Sequence, residues 1–262
     1  MQPLDADDLK RYLEYYQDLG IKDLYRRDQG PGAGDRGPVV TESAPSLQPP
    51  PPGPMRTIPE TEASPAPSPQ PPAPNLLSIL QDIGDCKRCR LHEGRTHIVF
   101  GVGNEHSPLV FVGEGPGADE DAQGIPFVGR AGQLLTQMIE NTAKKEGIPL
   151  TRDDVYICNV VKCRPPNNRT PEPDEMEICG QFLFRQLTTI KPKAICALGG
   201  TAARALTGHK EGVTKMRGKW FEWRGIPLMV TYHPSFLLRA YNADAKREAW
   251  EDLKKVLHFV YD

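Results

Sequence analysis

The strongest constraint on the fold is an alternation of short apolar runs with helical patterns from residue 108 onward. The apolar runs are nearly continuous, which is typical of strands buried on both faces. Such strands, when helices separate them, form parallel sheets covered by helices on both sides. We therefore predict a three-layer α/β/α fold around a mostly parallel sheet of four strands. The apolar runs are 108–114, 155–161, 194–200 and 227–233, with 219–224 before the last one, and the main helical patterns are 132–145, 173–190 and 244–259.

Polar or glycine-rich residues follow three of these runs. The first ends in the glycine-rich segment 113–117, the second contains Asn159, and the last ends at His233. Because the carboxyl ends of parallel strands lie along one edge of a sheet, ligands usually bind there. We predict a small pocket at this edge, formed by Glu114, Asn159 and His233 and by a loop that contains Phe127.

The N-terminal part of the chain has a different composition. Residues 29–74 hold 15 of the 27 prolines and almost no apolar side chains, which predicts a disordered linker. Before it, Leu and Tyr recur at three- and four-residue spacing, which predicts one short amphipathic helix within residues 1–28. We expect this helix to be a docking element for another protein, and residues 75–262 to form the folded domain.

Charge and hydropathy exclude some classes of protein. Residues 1–74 carry 11 acidic and 7 basic side chains, whereas residues 75–262 carry 23 acidic and 25 basic ones. The mildly positive second part permits nucleic-acid binding without requiring it. No apolar run approaches the roughly 20 residues of a membrane span, and no signal-peptide pattern opens the chain. We expect a monomeric cytoplasmic protein with no membrane contact.

Six cysteines occur, at positions 86, 89, 158, 163, 179 and 196. In a reducing compartment a disulfide framework is not expected. Cys158 and Cys196 lie in apolar runs, which indicates core packing. The other four thiols, two of them in a C-x-x-C pair, fit either a structural zinc or an iron–sulfur cluster, and their spacing does not separate the two. Redox chemistry by the C-x-x-C pair alone is less favoured, because no thioredoxin-like strand precedes it.

Each motif at the predicted pocket is ambiguous by itself. The glycine-rich segment lacks the spacing of a phosphate-binding loop, and His233-Pro234-Ser235 is also compatible with a simple helix start. Taken together, three segments framed by the four cysteines resemble the iron–sulfur uracil-DNA glycosylases, family 4 of the uracil-DNA glycosylase superfamily. The resemblance covers about residues 75–262, which we therefore predict to be the glycosylase domain, and we expect the helix within residues 1–28 to dock onto a replication or repair protein. The segments are GEGPGADEDAQGIPFVGRAGQLL (113–135), NVVKCRPPNNRTPEP (159–173) and HPSFLLR (233–239).

The resemblance implies an enzyme that flips uracil out of single- or double-stranded DNA and hydrolyses its glycosidic bond. It assigns Phe127 to stacking on the base and Asn159 to hydrogen bonds with the uracil edge. His233 becomes a hydrogen-bond donor near O2, and Glu114 a water-positioning group or partner of the sugar cation. The backbone N–H groups from Gly115 onward are further donors to the leaving base.

The segment HPSFLLR also suggests contacts with DNA. Phe236, Leu237 and Leu238 would form an apolar wedge that enters the base stack, and Arg239 would bind a phosphate. The alternative is that the leucines begin a helix and pack inward. Further phosphate candidates, each also readable as a solvated surface charge, are Arg164, Arg169, Lys215, Arg217 and Lys219.

For the cysteines, the resemblance implies a four-iron four-sulfur cluster with a structural role, bound by Cys86, Cys89, Cys163 and Cys179.

Three rival functions remain open. Covalent trapping of uracil-DNA is disfavoured, because it uses a histidine on an inserted loop and residues 107–208 contain none. A non-catalytic DNA-binding or polymerase-associated module is disfavoured by the intact pocket residues. A glycosylase for another deaminated base, such as hypoxanthine, is the third.

Overall fold

The computed structural model describes residues 75–239 and 243–262. The predicted N-terminal helix (1–28) and proline-rich linker (29–74) lie outside these residues. Within the described part, no helix is both long and apolar enough to cross a membrane.

The fold is α/β, as predicted, but its mixed sheet has six strands rather than four. In chain order the strands are β1 (Val102–Gly103), β2 (Leu109–Gly113), β3 (Tyr156–Asn159), β4 (Ala194–Leu198), β5 (Trp220–Trp223) and β6 (Ile226–Thr231). Their order in the sheet is β1-β3-β2-β4-β6-β5. The four central strands, β3, β2, β4 and β6, run parallel, and the two edge strands are antiparallel to their neighbours.

The two edge strands explain the error in the strand count. β1 has only two residues, so it produces no apolar run. One of them is Gly103, where a side chain would not fit, because a Cβ there would lie 1.9 Å from the carbonyl oxygen of Val155. β5 forms a hairpin with β6 through Arg224 and Gly225, whose φ angles of 49° and 82° suit a tight turn. Its alternating exposure is typical of an edge strand rather than of a buried parallel one.

Helices cover both faces of the sheet. They are α1 (Leu76–Ile83), α2 (Ala118–Gln123), α3 (Arg130–Lys145), α4 (Pro173–Ile190), α5 (Gly199–Thr207), α6 (Val213–Met216), α7 (Pro234–Leu237) and α8 (Ala243–Tyr261). On β2, Phe111 packs into the apolar cluster formed with α3 and α8, whereas Val110 packs into the cluster formed with α1, α4 and α5. This alternation follows from the two-residue period of a strand.

The register aligns the carboxyl ends of the parallel strands. Gly113 at the end of β2 pairs with Asn159 at the end of β3, and Leu198 of β4 pairs with Thr231 of β6. The chain segments that leave these four strands therefore begin side by side, at one edge of the sheet.

Candidate active site

A cavity of about 430 Å³ opens at this edge of the sheet. It is lined by five residues that the sequence places in the pocket, namely Glu114, Gly115, Phe127, Asn159 and His233. They come from the ends of β2, β3 and β6 and from the loop before α3, so the strand register brings them together. The chemical roles that the resemblance assigns to these five residues stay predictions.

Asn159 supplies a buried amide to the cavity. Its side chain is 1% exposed, and Oδ1 has no hydrogen-bond partner within the described part of the chain. Buried polar atoms are rarely left unpaired, so this acceptor points to a ligand. Gly113 makes room for it, because a Cβ there would lie 2.4 Å from Oδ1.

Phe127 forms an aromatic wall of the cavity. Its φ of 54° is unusual for a residue with a side chain, and its ring is 6% exposed. The ring centroid lies 5.7 Å from that of His233. α3 packs closely on this position, since a Cβ on Gly132 would lie 1.8 Å from the carbonyl oxygen of Phe127. Gly113 approaches the ring in turn, since a Cβ there would lie 2.5 Å from Phe127 Cζ, so packing restrains both the backbone and the ring.

The loop that carries Phe127 is held by one carboxylate. Glu120 Oε1 accepts hydrogen bonds from the backbone N–H groups of Val128 (3.0 Å) and Gly129 (2.9 Å), and Oε2 accepts one from Gly117 (3.1 Å). Glu120 thus connects the glycine-rich segment to the loop, and we expect both walls of the cavity to be rigid.

His233 is a neutral hydrogen-bond donor. The backbone N–H of Ser235 donates to Nδ1 at 3.2 Å, and Ser235 Oγ lies 2.8 Å from the same nitrogen. Since a backbone N–H can only donate, Nδ1 is the acceptor and the proton lies on Nε2. Burial lowers the pKa of His233 to about 4, so the ring is uncharged at neutral pH.

Glu114 follows the end of β2 and has a partner that the sequence analysis missed. The hydroxyl of Thr201, in the first turn of α5, donates a hydrogen bond to Glu114 Oε2. The only sequence signal for this contact is that the segment Gly199-Gly200-Thr201 directly follows a buried strand.

The four candidate ligand cysteines line a second cavity. Arg95 Nη1 donates to Cys163 Sγ at 3.4 Å, and the backbone N–H of Lys162 donates to Cys179 Sγ at 3.2 Å. Burial raises the pKa of Cys179 to about 12, so a bound positive group is needed to hold it as a thiolate. The donor set of four converging thiols fits a metal-containing group.

Two further observations concern the cysteines. Among residues 75–239 and 243–262, no group of three or more His, Cys, Asp or Glu side chains is arranged to hold a single metal ion. Cys158 and Cys196 are fully buried on β3 and β4, as the core-packing prediction requires.

Comparison with known proteins assigns the chain to a family. The model of the uracil DNA glycosylase superfamily matches residues 100–254. A type-4 uracil-DNA glycosylase of Thermotoga maritima is 46% identical over 188 residues, which cover 71% of this chain and 95% of the relative. One of Archaeoglobus fulgidus is 43% identical over 190 residues, covering 70% of this chain and 92% of the relative. The chain belongs to the type-4 uracil-DNA glycosylases.

The residues after His233 correct one prediction about this type-4 glycosylase. Leu237 is 1% exposed and packs with Tyr232, Ala245 and Ala249 in the core, so it is not available to enter a base stack. The helical period explains this, because α7 must bury one of its faces.

The neighbouring residues of the same segment remain accessible. Leu238 is 36% exposed, as is Phe236, which the predicted wedge also includes. The guanidinium of Arg239 lies 5.9 Å from the centre of the Phe236 ring. The exposed apolar surface here therefore consists of Phe236 and Leu238 rather than of two leucines.

A buried carboxylate with two arginine partners connects the two cavities of the glycosylase. Glu175 on α4 is fully buried and accepts two hydrogen bonds from Arg169, at 2.7 and 2.8 Å, and one from Arg90, at 2.8 Å. The Arg169 guanidinium lowers the pKa of Glu175 to about 2. Arg169 lines the active-site cavity, and Arg90 follows Cys89. Sequence analysis missed this link, because nothing distinguishes Glu175 from the exposed acidic residues around it.

Two candidate phosphate contacts are engaged within the protein. Arg169 pairs with Glu175, and Arg217 Nε donates to the buried Asp252 at 2.9 Å. These arginines therefore have structural partners that a sequence pattern does not reveal.

Proposed function

We propose that this chain is a DNA repair enzyme that flips uracil out of DNA and hydrolyses its N-glycosidic bond, leaving an abasic site. The observation that carries the proposal is the buried amide of Asn159, which has an unpaired acceptor and shares its cavity with Phe127 and His233. Membership of the type-4 family supports the same activity.

The Asn159 amide can distinguish uracil from cytosine. Its Oδ1 accepts from the N3–H of uracil, while its Nδ2 donates to O4. Cytosine presents an amino group and an unprotonated N3 at these positions, so donors would face donors and acceptors would face acceptors. A site with buried polar groups rejects such a mismatch strongly, because those groups would lose their partners.

The remaining cavity residues match the charge that develops during cleavage. The C1′–N1 bond breaks with its electron pair moving to uracil, and the oxygen of water then bonds to C1′ and releases a proton. The Nε2–H of His233 would donate to O2 of the uracil anion, as would backbone N–H groups from Gly115 onward. Glu114 would orient the water or stabilise the positive sugar. A neutral His233 acts here as a hydrogen-bond donor and not as an acid.

Binding to DNA would use the segment beyond His233. We propose that Leu238, together with the exposed Phe236, fills the gap left by the flipped nucleotide and that Arg239 contacts a phosphate. Both single- and double-stranded DNA are compatible with this arrangement.

We also propose that Cys86, Cys89, Cys163 and Cys179 bind a four-iron four-sulfur cluster. The support is that the four thiols, which come from two distant segments of the chain, line one cavity. Four cysteine thiolates are the usual ligands of such a cluster. Bound there, it would cross-link the C-x-x-C segment to α4 and to the segment after β3.

The cluster assignment predicts a difference between two cysteine variants. Cys163→Ala is expected to lose the visible absorbance and most of the iron, because it removes a ligand. Cys196→Ala is the control: it also removes a buried thiol, but from β4, and it should keep about four irons per chain. Iron, sulfide and zinc analysis of anaerobically purified protein tests this. Colourless wild-type protein with one zinc per chain would refute the cluster.

The activity itself is tested with matched oligonucleotides that contain one U, T, C or hypoxanthine. We expect alkali-labile sites at U, and none at T or C. Cleavage mainly at hypoxanthine would assign another substrate. Binding of uracil-DNA without cleavage would place the protein among non-catalytic modules, and a covalent adduct would identify a trapping protein.

A further inference from the structure

The first turn of α5 lies between the two proposed catalytic groups. β4 pairs with β2 on one side and with β6 on the other, and α5 begins directly where β4 ends. The last pair between β2 and β4 is Val112 with Ala197, and continuing this pairing by two residues places Gly199 beside Glu114. On the other side, a Cβ on Gly199 would lie 2.9 Å from the Cβ of His233, and φ at Gly199 is 89°. Only glycine suits this position, so the turn is built to approach both groups closely.

Thr201 completes this turn, and its hydroxyl bonds outside its own helix. Threonine hydroxyls in helices commonly return to the carbonyl four residues earlier, as Thr207 does to Ala203 at 2.7 Å in the same helix. Thr201 instead donates across the strand ends to Glu114 Oε2. Its side chain is nearly buried, at 8% exposure, so few waters compete for the hydroxyl.

A carboxylate needs such a contact to keep one orientation. The terminal torsion of a glutamate is broad, and several orientations of its carboxylate are otherwise similar in energy. Glu114 lines the cavity, where either water or the sugar cation must meet one of its oxygens in a defined place. Small displacements of a reacting group lower rates strongly, so an anchor on the other oxygen has catalytic value.

We propose that Thr201 is a positioning residue for uracil excision, whose hydroxyl holds the Glu114 carboxylate in its working orientation. The inference rests on the proposed function and adds a residue outside the motifs that resemble the family. Because the hydroxyl acts through Glu114, it affects the cleavage step and not the binding of uracil-DNA.

The test compares Thr201→Val, which removes the hydroxyl and keeps the shape, with Thr201→Ser, which keeps the hydroxyl. Thr201→Val should lower the single-turnover rate on a U-containing oligonucleotide by about 10- to 100-fold. Its dissociation constant for that DNA should change by less than about twofold. Thr201→Ser should stay within about threefold of the wild-type rate. Thr207→Val is the matched control, since the Thr207 hydroxyl donates to the carbonyl of Ala203 within the same helix and not to Glu114.

A double-mutant cycle with Glu114→Ala separates positioning from a structural role. In the Glu114→Ala background, Thr201→Val should have no further effect on the rate. A full wild-type rate in Thr201→Val, or an equal slowing by Thr201→Val in both backgrounds, would overturn the proposal. If Thr201→Val does not fold, Thr201→Ala takes its place in the cycle. Absence of uracil release by the wild-type enzyme would refute the proposed function instead.

Discussion

Replacing Asn159 by leucine is expected to lower the single-turnover rate of uracil release by about 10³-fold, or about 4 kcal/mol of transition-state stabilisation. The reason is that leucine has a similar volume and no polar atom. The uracil edge would then lose two hydrogen bonds, and its own donor and acceptor would be buried without partners. Because position 159 is only 1% exposed, little water could take the place of the lost amide.

The same substitution should leave the fold intact. Asn159 Oδ1 is buried without a partner among the described residues, and an apolar group of similar shape removes this cost. We therefore expect a melting temperature at or above that of the wild type. Asn141→Leu, at an exposed position on α3, is the control and should change neither the rate nor the melting temperature. Release of uracil by Asn159→Leu within tenfold of the wild-type rate would show that Asn159 does not read the base.

These expectations depend on a site whose outline was predictable from sequence. Continuous apolar runs identify buried parallel strands, and the carboxyl ends of such strands share one edge. Glu114, Asn159 and His233 each lie at or just after a strand end, so their convergence required no knowledge of side-chain contacts. The resemblance to the family then selected Phe127 from a loop whose path the pattern does not define.

Other features depend on packing that a linear pattern does not encode. Leu237 and Leu238 are adjacent and chemically identical, yet α7 buries the first and exposes the second. The orientation of the short helix decides this, and it depends on contacts distant in sequence, because Leu134 and Met138 of α3 pack against the cluster that buries Leu237. Thr201 was missed for a related reason, because its partner lies 87 residues away. Edge strand β1 was missed because two residues carry no periodicity.

Glu175→Gln is expected to destabilise the domain by about 3 kcal/mol at neutral pH, which follows from a pKa lowered from 4.5 to about 2. The carboxylate is fully buried between Arg169 and Arg90, so a neutral amide removes the buried charge that both guanidinium groups face. Arg90 keeps a second carboxylate partner, Asp174, at 2.8 Å, so the loss falls mainly on Arg169. For a domain of this size the melting temperature should fall by about 10 °C. Both proteins are compared at equal iron content, because a bound group contributes stability of its own.

The effect has a defined dependence on pH. Because the folded-state pKa of Glu175 is below its ordinary value, the carboxylate contributes stability above about pH 4.5 and loses it as the pH falls toward about 2. The difference in melting temperature between wild type and Glu175→Gln should therefore be constant from neutral pH down to about 5 and shrink below that. Glu177→Gln, at an exposed position on the same helix, should show no such difference at any pH. Equal melting temperatures for Glu175→Gln and wild type at pH 7 would mean that solvent, and not Glu175, satisfies the two arginines. The link between the cysteine segment and the active-site loop would then contribute nothing to the fold.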